Sequence, residues 1–366
     1  MARLGDICDI LDYKRVPITA ADRVSGPYPY YGANGVQDYV ADYIFDDELV
    51  LLAEDGGHFG SADKPIAYRV SGKCWVNNQA HVLKPKECVD VDYLCYSLMY
   101  KDVSAIVNGA TRQKLTQADM REIEVPLLSL QEQKMITSNL GKVFDLISLR
   151  KQQLAKLDEL VKARFVEMFG DPICNSKNLI LSPLNDVCTK ITDGTHDTPP
   201  RYDSGYLLIT GKNIRSSGII FNDIEFVSEE DHKIIYSRCN PEYGDVLYTN
   251  IGVNYGTACY NNLDYEFSMK NVALLKPNHR IVNGYYLWEC LNIMRNHILS
   301  MNQVGGAQTI MGLATIKKIT IHVPPIELQN QFATFVEQTD KSKAAIQDSL
   351  DKLETLKKAL MQKYFG

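Results

Sequence analysis

The sequence lacks the features that mark secreted, membrane-spanning and zinc-binding proteins. Its first residues contain no apolar run, which predicts that there is no signal peptide. No stretch approaches the roughly 20 apolar residues that a membrane-spanning helix needs. None of the nine cysteines stands in a C-x-x-C pair, so a zinc ribbon is excluded and a disulfide framework is disfavoured. We therefore predict reduced thiols and a cytoplasmic protein.

Catalytic signatures are also missing. The strings nearest to the Asn/Asp-Pro-Pro-Tyr/Phe turn of amino-methyltransferases are Asn240–Tyr243 and Thr198–Arg201, and neither fits. The glycine-rich stretch Gly56–Gly60 lacks the Lys-Ser/Thr pair of a phosphate-binding P-loop. The seven histidines show no metal-ligand spacing, and no Gly-x-Ser-x-Gly elbow occurs. The sequence thus predicts a non-catalytic chain that binds no metal and no cofactor of its own.

The chain carries no basic excess. Its formal charge of −6 at pH 7 argues against a general polyanion binder. This charge does not exclude a DNA-binding protein whose basic residues lie on one face. With 366 residues, 45% of them hydrophobic, the chain is long enough to form more than one core.

An internal repeat organises the chain. A motif of leucines, alanine and Phe-Gly recurs 196 positions later (366 − 170). Its first copy is Leu154, Leu157, Leu160, Ala163 and Phe169-Gly170, and its second is Leu350, Leu353, Leu356, Ala359 and Phe365-Gly366. Leu4–Cys8 likewise returns as Leu184–Cys188, and Val125–Gln133 returns as Val323–Gln331. Matches in the same order through both halves predict a duplication.

Each copy ends in a predicted long helix. Leucines three and four positions apart form one apolar stripe, which must be buried against a partner surface. Prolines precede both helices, at Pro126 and at Pro324-Pro325. Ser129 and Glu132 fit a capping box, and Gly170 fits a C-cap. We predict that the helices pair antiparallel through a seam made of Leu154, Leu157, Leu160, Leu350, Leu353 and Leu356.

The predicted fold class is α+β, with two mixed α/β globules joined by two long antiparallel coiled-coil helices and related by a pseudo-twofold axis. The predicted domains are a first globule at 1–127, a central helix at 128–170, a second globule at 171–325 and a C-terminal helix at 326–366. Short strands are predicted at Glu48–Ala53, Ala80–Leu83, Asp245–Thr249 and Val272–Leu275, and short helices at Asp92–Lys101 and Tyr285–Met301.

Polar and aromatic residues crowd the predicted loops of both globules. Asn and Gln can bond adenine, Arg and Lys can bond guanine, and His, Thr and backbone amides can hold phosphates. Ordinary turn chemistry accounts for any one such loop, but matching clusters in both copies favour DNA recognition. The predicted DNA-binding residues of the first globule are Tyr30, Tyr31, Asn34, His58, Asn77, Asn78, Thr111, Arg112, Gln113 and Lys114. Those of the second globule are Thr195, His196, Arg201, Lys212, Asn213, Asn254, Tyr255, Lys270, Asn271 and Gln308.

Four features together point to a family. They are Tyr28–Gly35, Asp193–Pro199, the paired Val-Pro-x-x-x-Leu-Gln-x-Gln segments and the two Phe-Gly helix ends. With these features the whole chain resembles the specificity (S) subunit of type I restriction–modification systems. The family's usual Pro-Leu-Pro-Pro-x-x-Glu-Gln segment is weakened in both copies here.

The resemblance implies how the chain would work. Two target-recognition domains would each read one half of a split double-stranded DNA site, and the helices would set their spacing. The helices would also bind two methyltransferase (M) subunits, and restriction (R) subunits would join through them. The M subunits, rather than this chain, would use S-adenosylmethionine to methylate adenine N6.

Two other functions stay open at this point. The chain could itself be a nuclease or a methyltransferase, although the missing motifs weigh against that hypothesis. It could also be a DNA-binding scaffold or regulator without a modification partner. Co-purification with a methyltransferase would separate that alternative from the specificity-subunit hypothesis.

Overall fold

The computed structural model describes residues 1–61, 64–109, 113–252, 254–301 and 310–366. Contacts divide the chain into two compact units. The first unit is Met1–Arg150 with Ser349–Gly366, and the second unit is Lys151–Asp348. Each unit therefore contains one end of each long helix.

The first unit is built on one large sheet. Its strands are β1 (Ala2–Arg3), β2 (Cys8–Ile10), β3 (Ser25–Gly32), β4 (Gly35–Val40), β5 (Phe45–Ala53), β6 (Ala67–Val76), β7 (Ala80–Pro85) and β8 (Glu124–Val125). Its helices are α1 (Leu4–Ile7), α2 (Val91–Met99), α3 (Gln117–Arg121) and the start of α4 (Leu130–Phe169), with a 3-10 turn at Asp12–Lys14. The sheet order is β2-β7-β5-β6-β3-β4. Leu49–Ala53 in β5 are fully buried, as expected of an apolar run in a central strand.

The second unit divides its strands among smaller sheets. Its strands are β9 (Leu181–Pro183), β10 (Cys188–Asp193), β11 (Tyr206–Thr210), β12 (Ile214–Arg215), β13 (Gly218–Ile219), β14 (Glu225–Val227), β15 (Val246–Tyr248), β16 (Ala258–Tyr260), β17 (Ser268–Lys270), β18 (Ala273–Pro277) and β19 (Thr320–His322). Its helices are α5 (Leu184–Val187), α6 (Glu229–Cys239), α7 (Gly284–Ile293), α8 (Arg295–Met301), α9 (Leu313–Ile316) and the start of α10 (Ile326–Phe365), with a 3-10 turn at Gly211–Asn213. The two largest sheets have the orders β10-β18-β15-β16 and β14-β11-β17.

The strand orders confirm the predicted duplication. The order β2-β7-β5-β6 in the first unit matches β10-β18-β15-β16 in the second unit. Every neighbouring pair in both series is antiparallel. The units differ beyond this shared part, because β3 and β4 extend the sheet of the first unit. The second unit instead places β11, β14 and β17 in a separate sheet.

The predicted short elements are present, with one difference. The four predicted strands correspond to β5, β7, β15 and β18, and the first predicted helix corresponds to α2. The single helix predicted at Tyr285–Met301 is wrong, since α7 and α8 are separated at Met294. The side chain of Asn292 accepts from the backbone amide of Ala258 and donates to its carbonyl. The guanidinium of Arg295 donates to the carbonyl of Tyr255, in the loop before β16. These bonds hold the break between the helices against β16.

Both long helices form as the sequence predicts. At the start of α4, the Ser129 backbone amide donates to the Glu132 carboxylate at 3.0 Å, and the Glu132 amide donates to Ser129 Oγ at 3.3 Å. This is the reciprocal bonding of a capping box. Gly170 follows the last residue of α4 with φ +80°, the left-handed conformation of a glycine C-cap. No helix among the described residues is long and apolar enough to cross a membrane.

The helices pair antiparallel, as predicted. In the second unit, the ring of Phe165 on α4 packs against Phe332 on α10, with centroids 5.5 Å apart. Earlier on α4, Asp158 pairs with Lys343, which lies later on α10, at 2.7 Å. In the first unit, Arg150 on α4 donates to Ser349 on α10 at 3.2 Å. The fold class is therefore confirmed as mixed α/β units joined by long antiparallel helices.

The predicted leucine seam is wrong in part. Leu350 is buried, and Leu154, Leu157 and Leu353 are half-buried. Leu160 and Leu356, however, are 48% and 45% exposed. In the second unit the buried face of α4 consists instead of Val161, Phe165 and Phe169. These side chains lie on a different face of the helix from Leu160, so the apolar residues of the sequence cover two faces.

Candidate DNA interface

Hydrogen bonds bring together loops of the first unit that are far apart in sequence. β3 runs parallel to β6, and the amide of Asn77 donates to the carbonyl of Tyr31 at 3.0 Å. The exposed side chain of Asn34 donates to the carbonyl of Gly56 at 3.1 Å. The amide of Gly56 in turn donates to the carbonyl of Gln113 at 3.0 Å. Four predicted DNA-binding residues therefore lie in one group of connected loops.

Three side-chain amides form a network in the same loops. Gln37 Nε2 donates to Gln79 Oε1 at 2.9 Å, and Asn77 Nδ2 donates to Gln37 Oε1 at 3.1 Å. Asn77 also accepts a bond from the backbone amide of Gln79 at 2.8 Å. Asn77 is only 5% exposed, whereas Gln37 is exposed. The buried amide therefore orients the exposed one.

A buried ionic cluster of Asp12, Arg15, Glu54 and His81 supports these loops. Lys114 on the surface pairs with Glu54 at 3.0 Å, and Glu54 also contacts the guanidinium of Arg15. Nδ1 of His81 lies 2.7 Å from Asp12 Oδ2. Asp12, Glu54 and His81 are each more than nine-tenths buried. The cluster joins the 3-10 turn, the end of β5, β7 and the loop before α3.

The cluster is better suited to an ion network than to a metal. Ligand atoms of Asp12, Glu54 and His81 lie within 4.8 Å of one another, close enough to share an ion. However, Nε2 of His81 lies 2.9 Å from a backbone carbonyl while Nδ1 faces Asp12. Both ring nitrogens are thus already engaged within the protein. Arg15 and Lys114 offset the charge of the buried carboxylates, as a stable buried ion pair requires.

In the second unit, four predicted loop segments also meet. β11 and β17 run parallel and pair Thr210 with Lys270. The amide of Asn271 donates to the carbonyl of Thr195 at 3.1 Å, and Asn254 Nδ2 donates to the carbonyl of Gly211 at 3.0 Å. These bonds join the segments that contain residues 193–199, 210–213, 254–255 and 270–271.

Local sequence chemistry explains how these loops can approach each other. A Cβ atom on Gly194 would lie 2.1 Å from the carbonyl oxygen of Met269, so only glycine permits this contact. Asn254 and Asn271 have φ values of +63° and +54°. Asparagine adopts this left-handed conformation more readily than most residues.

His196 lies at the centre of the second group of loops. Its Nε2 lies 2.7 Å from Asp193 Oδ2, and its Nδ1 lies 3.0 Å from Asn271 Oδ1. The other carboxylate oxygen of Asp193 accepts from Arg238 at 2.8 Å. The hydrogen bond to Asn271 and the bond to Asp193 raise the pKa of His196 above its usual 6.5, although partial burial opposes this. The ring is 56% exposed, so the protonated form presents its charge at the surface.

Two predicted cations share one carboxylate. Arg201 Nε and Lys212 Nζ lie 2.6 and 2.9 Å from the two oxygens of Glu225. The bonds from Lys212 and Arg201 hold the pKa of Glu225 below its usual value. Because one negative charge faces two positive ones, this group of three carries a net positive charge.

Comparison with known proteins decides the family. Residues 1–159 and 180–355 both match the type I restriction modification DNA specificity domain. The chain belongs to this family. Each match contains one set of the loops described above and the start of the long helix that follows it. This specificity subunit is therefore a DNA-recognition protein, which confirms the resemblance found in the sequence.

Individual relatives agree with this assignment. The specificity subunit is 26% identical to a putative type I restriction enzyme specificity subunit of Haemophilus influenzae, over 95% of this chain and 89% of the relative. Its fold resembles the type I S subunit of M. genitalium, with a TM-score of 0.67, 14% identity and coverage of 100% and 95% of the two chains. It also resembles a chain from a structure on complex assembly in the type I R-M system, with a TM-score of 0.52, 17% identity and coverage of 100% and 96%.

Two residues predicted to bind DNA lie in the core of the specificity subunit. Tyr30 is 1% exposed, beneath the guanidinium of Arg23, and its hydroxyl accepts from the amide of Ile18 at 3.0 Å. Asn213 is fully buried and accepts from Thr210 as part of a capping box. Their polar groups are committed within the protein, so we withdraw both as residues that contact DNA.

The other predicted residues occupy a range of positions. Asn77 and Thr195 are buried and hold loops together, while Tyr31, His58, Asn254, Tyr255, Lys270 and Asn271 are half-buried. The exposed members are Asn34, Asn78, Gln113, Lys114, His196, Arg201 and Lys212. Thr111, Arg112 and Gln308 lie outside the described residues.

Sequence reasoning missed the residues that orient the predicted readers. In the first unit these are Gln37, Gln79 and Glu54, and in the second unit they are Asp193, Glu225 and Arg238. Asp193 could have been found, because it stands three residues before His196 in the quoted motif. Arg238 and Glu225 carry no local signal, since their partners are 45 and 24 positions away.

The raised pKa of His196 leads to a pH-dependence prediction. If His196 contacts DNA phosphates, its protonated form strengthens binding, so affinity should be full below pH 6.5 and should fall as pH rises through the raised pKa. Binding assays from pH 6 to 9 should show this decline, and His196→Gln should remove it. His279→Gln, which changes an exposed histidine of the same unit, should leave the decline intact. A pH profile that His196→Gln does not alter would refute the assigned role.

Proposed function

We propose that each unit of the specificity subunit reads one half of a split DNA site. The observation that carries this proposal is that loops distant in sequence converge in both units. In each unit this convergence gathers exposed amides and cations around a buried polar support. The shared strand order keeps the two supports alike, while the loops that differ allow the two half-sites to have different sequences.

In the first unit, amides are the proposed base readers. The side chains of Asn34, Asn78 and Gln113 are exposed, and a side-chain amide can bond adenine through both its oxygen and its nitrogen. Gln37 belongs with them, because the buried Asn77 already fixes one side of its amide. Lys114 is the proposed phosphate contact, since half of its side chain is exposed and its ammonium lies at the edge of these loops.

In the second unit, cations dominate the proposed contacts. His196 and Lys270 lie together where the parallel strands end, and we assign both to phosphates. Arg201 and Lys212 are the proposed guanine readers, because Arg and Lys both bond the acceptors of that base. Glu225 pairs with both side chains in the absence of DNA, and both would bond Glu225 and guanine at the same time once DNA is bound.

We further propose the assembly in which this reading is used. Two methyltransferase (M) subunits would bind the long helices and methylate adenine N6 with S-adenosylmethionine, after flipping the base out of the duplex. Restriction (R) subunits would join the complex for cleavage, and the assembly would act in the cytoplasm. Support comes from Leu160 and Leu356, which occupy equivalent positions of the repeat and are both about half exposed. The fold shared with a chain from a type I R-M assembly is consistent with this proposal.

Single substitutions should relax one half-site at a time. Each good bidentate contact contributes about 1–3 kcal/mol of discrimination between bases. Asn34→Ala should therefore broaden only one half of the methylated motif, and Arg201→Ala should broaden only the other half. Methylation sequencing of cells that express each variant measures this directly. Arg280→Ala, at an exposed arginine of the second unit away from these loops, should leave the motif unchanged. Broadening of both halves by one variant would contradict separate reading.

The exposed leucines give a test of the partner proposal. Burying a fully exposed leucine contributes about 1.5–3 kcal/mol, and these two side chains are about half exposed. Leu160→Ala and Leu356→Ala should therefore each weaken M-subunit binding by roughly three- to tenfold. Titration of purified M subunit measures the affinity. Ile180→Ala, at another exposed apolar residue of the second unit, serves as the matched control. If both leucine variants bind M subunits like the control, these helix faces are not the contact.

A further inference from the structure

The second unit contains a cavity that DNA reading does not use. It has a volume of about 520 Å³ and lies between α4, α7 and α10. Val161, Val166, Trp288 and Ile293 form apolar parts of its wall, and Glu289 on α7 contributes a carboxyl group. Pockets of this size and mixed character are typical of ligand sites.

Glu289 is the unusual member of this wall. It is only 3% exposed, and its Oε1 has no hydrogen-bond partner among the residues that the structure describes. Burial raises the pKa of Glu289 to about 7, although Lys162 and Lys343 oppose that rise. A buried carboxyl group without a partner costs stability, so a role for it in binding must be considered.

The cations around Glu289 do not supply the missing partner. Lys343 pairs with Asp158 at 2.7 Å. The guanidinium of Arg295 donates twice to the carbonyl of Tyr255, at 3.0 and 2.6 Å. Lys162 is exposed to solvent.

The first unit, which is the other copy of the repeat, has residues equivalent to Glu289 and Val161. Tyr93-Leu94 corresponds to Tyr286-Leu287, so Tyr96 stands where Glu289 stands, and Lys357 likewise stands where Val161 stands. A smaller cavity there is lined by Tyr96 and Lys357. The ammonium of Lys357 lies 5.7 Å from the ring centroid of Tyr100 and 5.8 Å from that of Phe144. Lys357 also pairs with the carboxylate of Glu354, so the first unit places a cation of its own chain, with its own counter-charge, at this position.

The second unit carries its cation on a different residue, since Lys343 on α10 pairs with Asp158, which stands where Glu354 stands in the repeat. Valine replaces the lysine of the first unit, and a carboxyl group replaces its tyrosine. The wall of the cavity therefore combines the carboxyl group of Glu289 and apolar side chains with the charged residues Asp158, Lys162, Lys343 and Arg295.

We propose that the Glu289 cavity binds a guanidinium or alkylammonium group that comes from outside this chain. The charged end would bond the carboxylate of Glu289, and an alkyl stem would pack against Val161, Val166 and Ile293. The group could be the side chain of a partner subunit or a free organic cation, because both present the same chemistry.

Binding of such a cation competes with a proton on Glu289. The charged groups around it are Lys162 and Asp158 on α4, Lys343 on α10 and Arg295 on α8. Asp158 and Lys343 neutralise each other, so ionisation of Glu289 controls the change in local charge. With a pKa of about 7, the ionised fraction rises about tenfold between pH 6 and 8. Affinity for the cation should rise by the same factor.

The test uses the full chain with n-butylguanidinium as the probe and neutral n-butylurea as its matched control. Butylguanidinium should raise the melting temperature in a saturable manner, about tenfold more tightly at pH 8 than at pH 6, and butylurea should not. Glu289→Gln keeps the shape of the side chain and should abolish the effect. Equal effects of both probes, unchanged binding to Glu289→Gln, or tighter binding at acid pH would each overturn the proposal.

A second comparison identifies the source of the cation. If a partner side chain fills the cavity, bound M subunits should block butylguanidinium, and excess butylguanidinium should weaken their binding to the wild-type chain but not to Glu289→Gln. If the natural occupant is a free cation, the assembled complex should bind the probe with unchanged affinity. Only this comparison depends on the proposed function, because the measurement on the isolated chain stands without any partner.

Discussion

Phe165→Ala should lower the free energy of unfolding by about 3–5 kcal/mol, the usual cost of truncating a buried phenylalanine. Phe165 is fully buried in the second unit. Its ring contacts Phe169, Tyr286 and Phe332 at centroid distances of 5.0, 5.2 and 5.5 Å. Three surrounding aromatic side chains cannot easily close the space that the ring leaves. Denaturant titration of the full chain measures the loss.

Leu160 provides the matched control on the same helix. Because it is 48% exposed, Leu160→Ala should change the free energy of unfolding by less than about 0.5 kcal/mol. The same variant should weaken M-subunit binding, which separates stability from assembly. A Phe165→Ala protein as stable as wild type would show that the aromatic contacts between α4, α7 and α10 do not hold the unit together.

Asp12→Ala should cost about 3–5 kcal/mol of the free energy of unfolding, the range for removing one partner of a buried ion pair. Asp12 is 8% exposed. It accepts from His81 at 2.7 Å, from Gln117 at 2.8 Å and from the amide of Val82 at 2.8 Å. The substitution leaves these donors without their acceptor in a region where water cannot replace it. Thermal and denaturant unfolding of the two proteins measure the difference.

The effect of Asp12→Ala should also depend on pH. Burial opposes ionisation of Asp12, but its hydrogen bonds from His81, Gln117 and Val82 prevail and lower its pKa below 3.8. A carboxylate with a lowered pKa stabilises the fold above its unfolded value, and this contribution is lost as pH falls through the folded pKa. The difference in unfolding free energy between wild type and Asp12→Ala should therefore be largest near pH 7 and should become smaller below about pH 4.

Asp22 is a suitable control for this substitution. It is exposed, and its carboxylate accepts a local bond from Thr19 at 2.6 Å. Asp22→Ala should therefore change stability by less than about 0.5 kcal/mol. If the two aspartate variants were equally stable, the buried ionic cluster would not anchor the loops of the first unit.

Local patterns were enough to predict much of the fold. The repeat is visible because equivalent residues recur in order, and Ser129, Glu132 and Gly170 mark helix ends through bonds within one turn. Strands such as β5 and β7 could be located because an apolar run in a strand is a property of neighbouring residues. Each of these signals acts over a few positions, so the chain alone determines it.

The candidate interface could be predicted only by residue type. Tyr30 and Tyr31 are adjacent and chemically identical, yet Tyr30 is 1% exposed and Tyr31 is half-buried beside the proposed readers. The register of β3 against β4 shifts between Tyr30 and Tyr31, so the regular alternation of an ideal strand does not by itself decide which ring is buried. Which face is buried depends on what packs against the sheet, and that is decided elsewhere in the chain.

The sequence by itself therefore determined the duplication, the two long helices and the polar character of the loops. Tertiary structure alone decided which side of α4 is buried, which loops converge and which carboxyl groups find partners. Leu160 keeps its place in the repeat but lies on an exposed face of the helix. Glu289 is buried because α4, α7 and α10 enclose it, and its Oε1 has no hydrogen-bond partner among the described residues. Periodicity and capping are set by neighbours along the chain, whereas burial and charge pairing are set by residues many positions away.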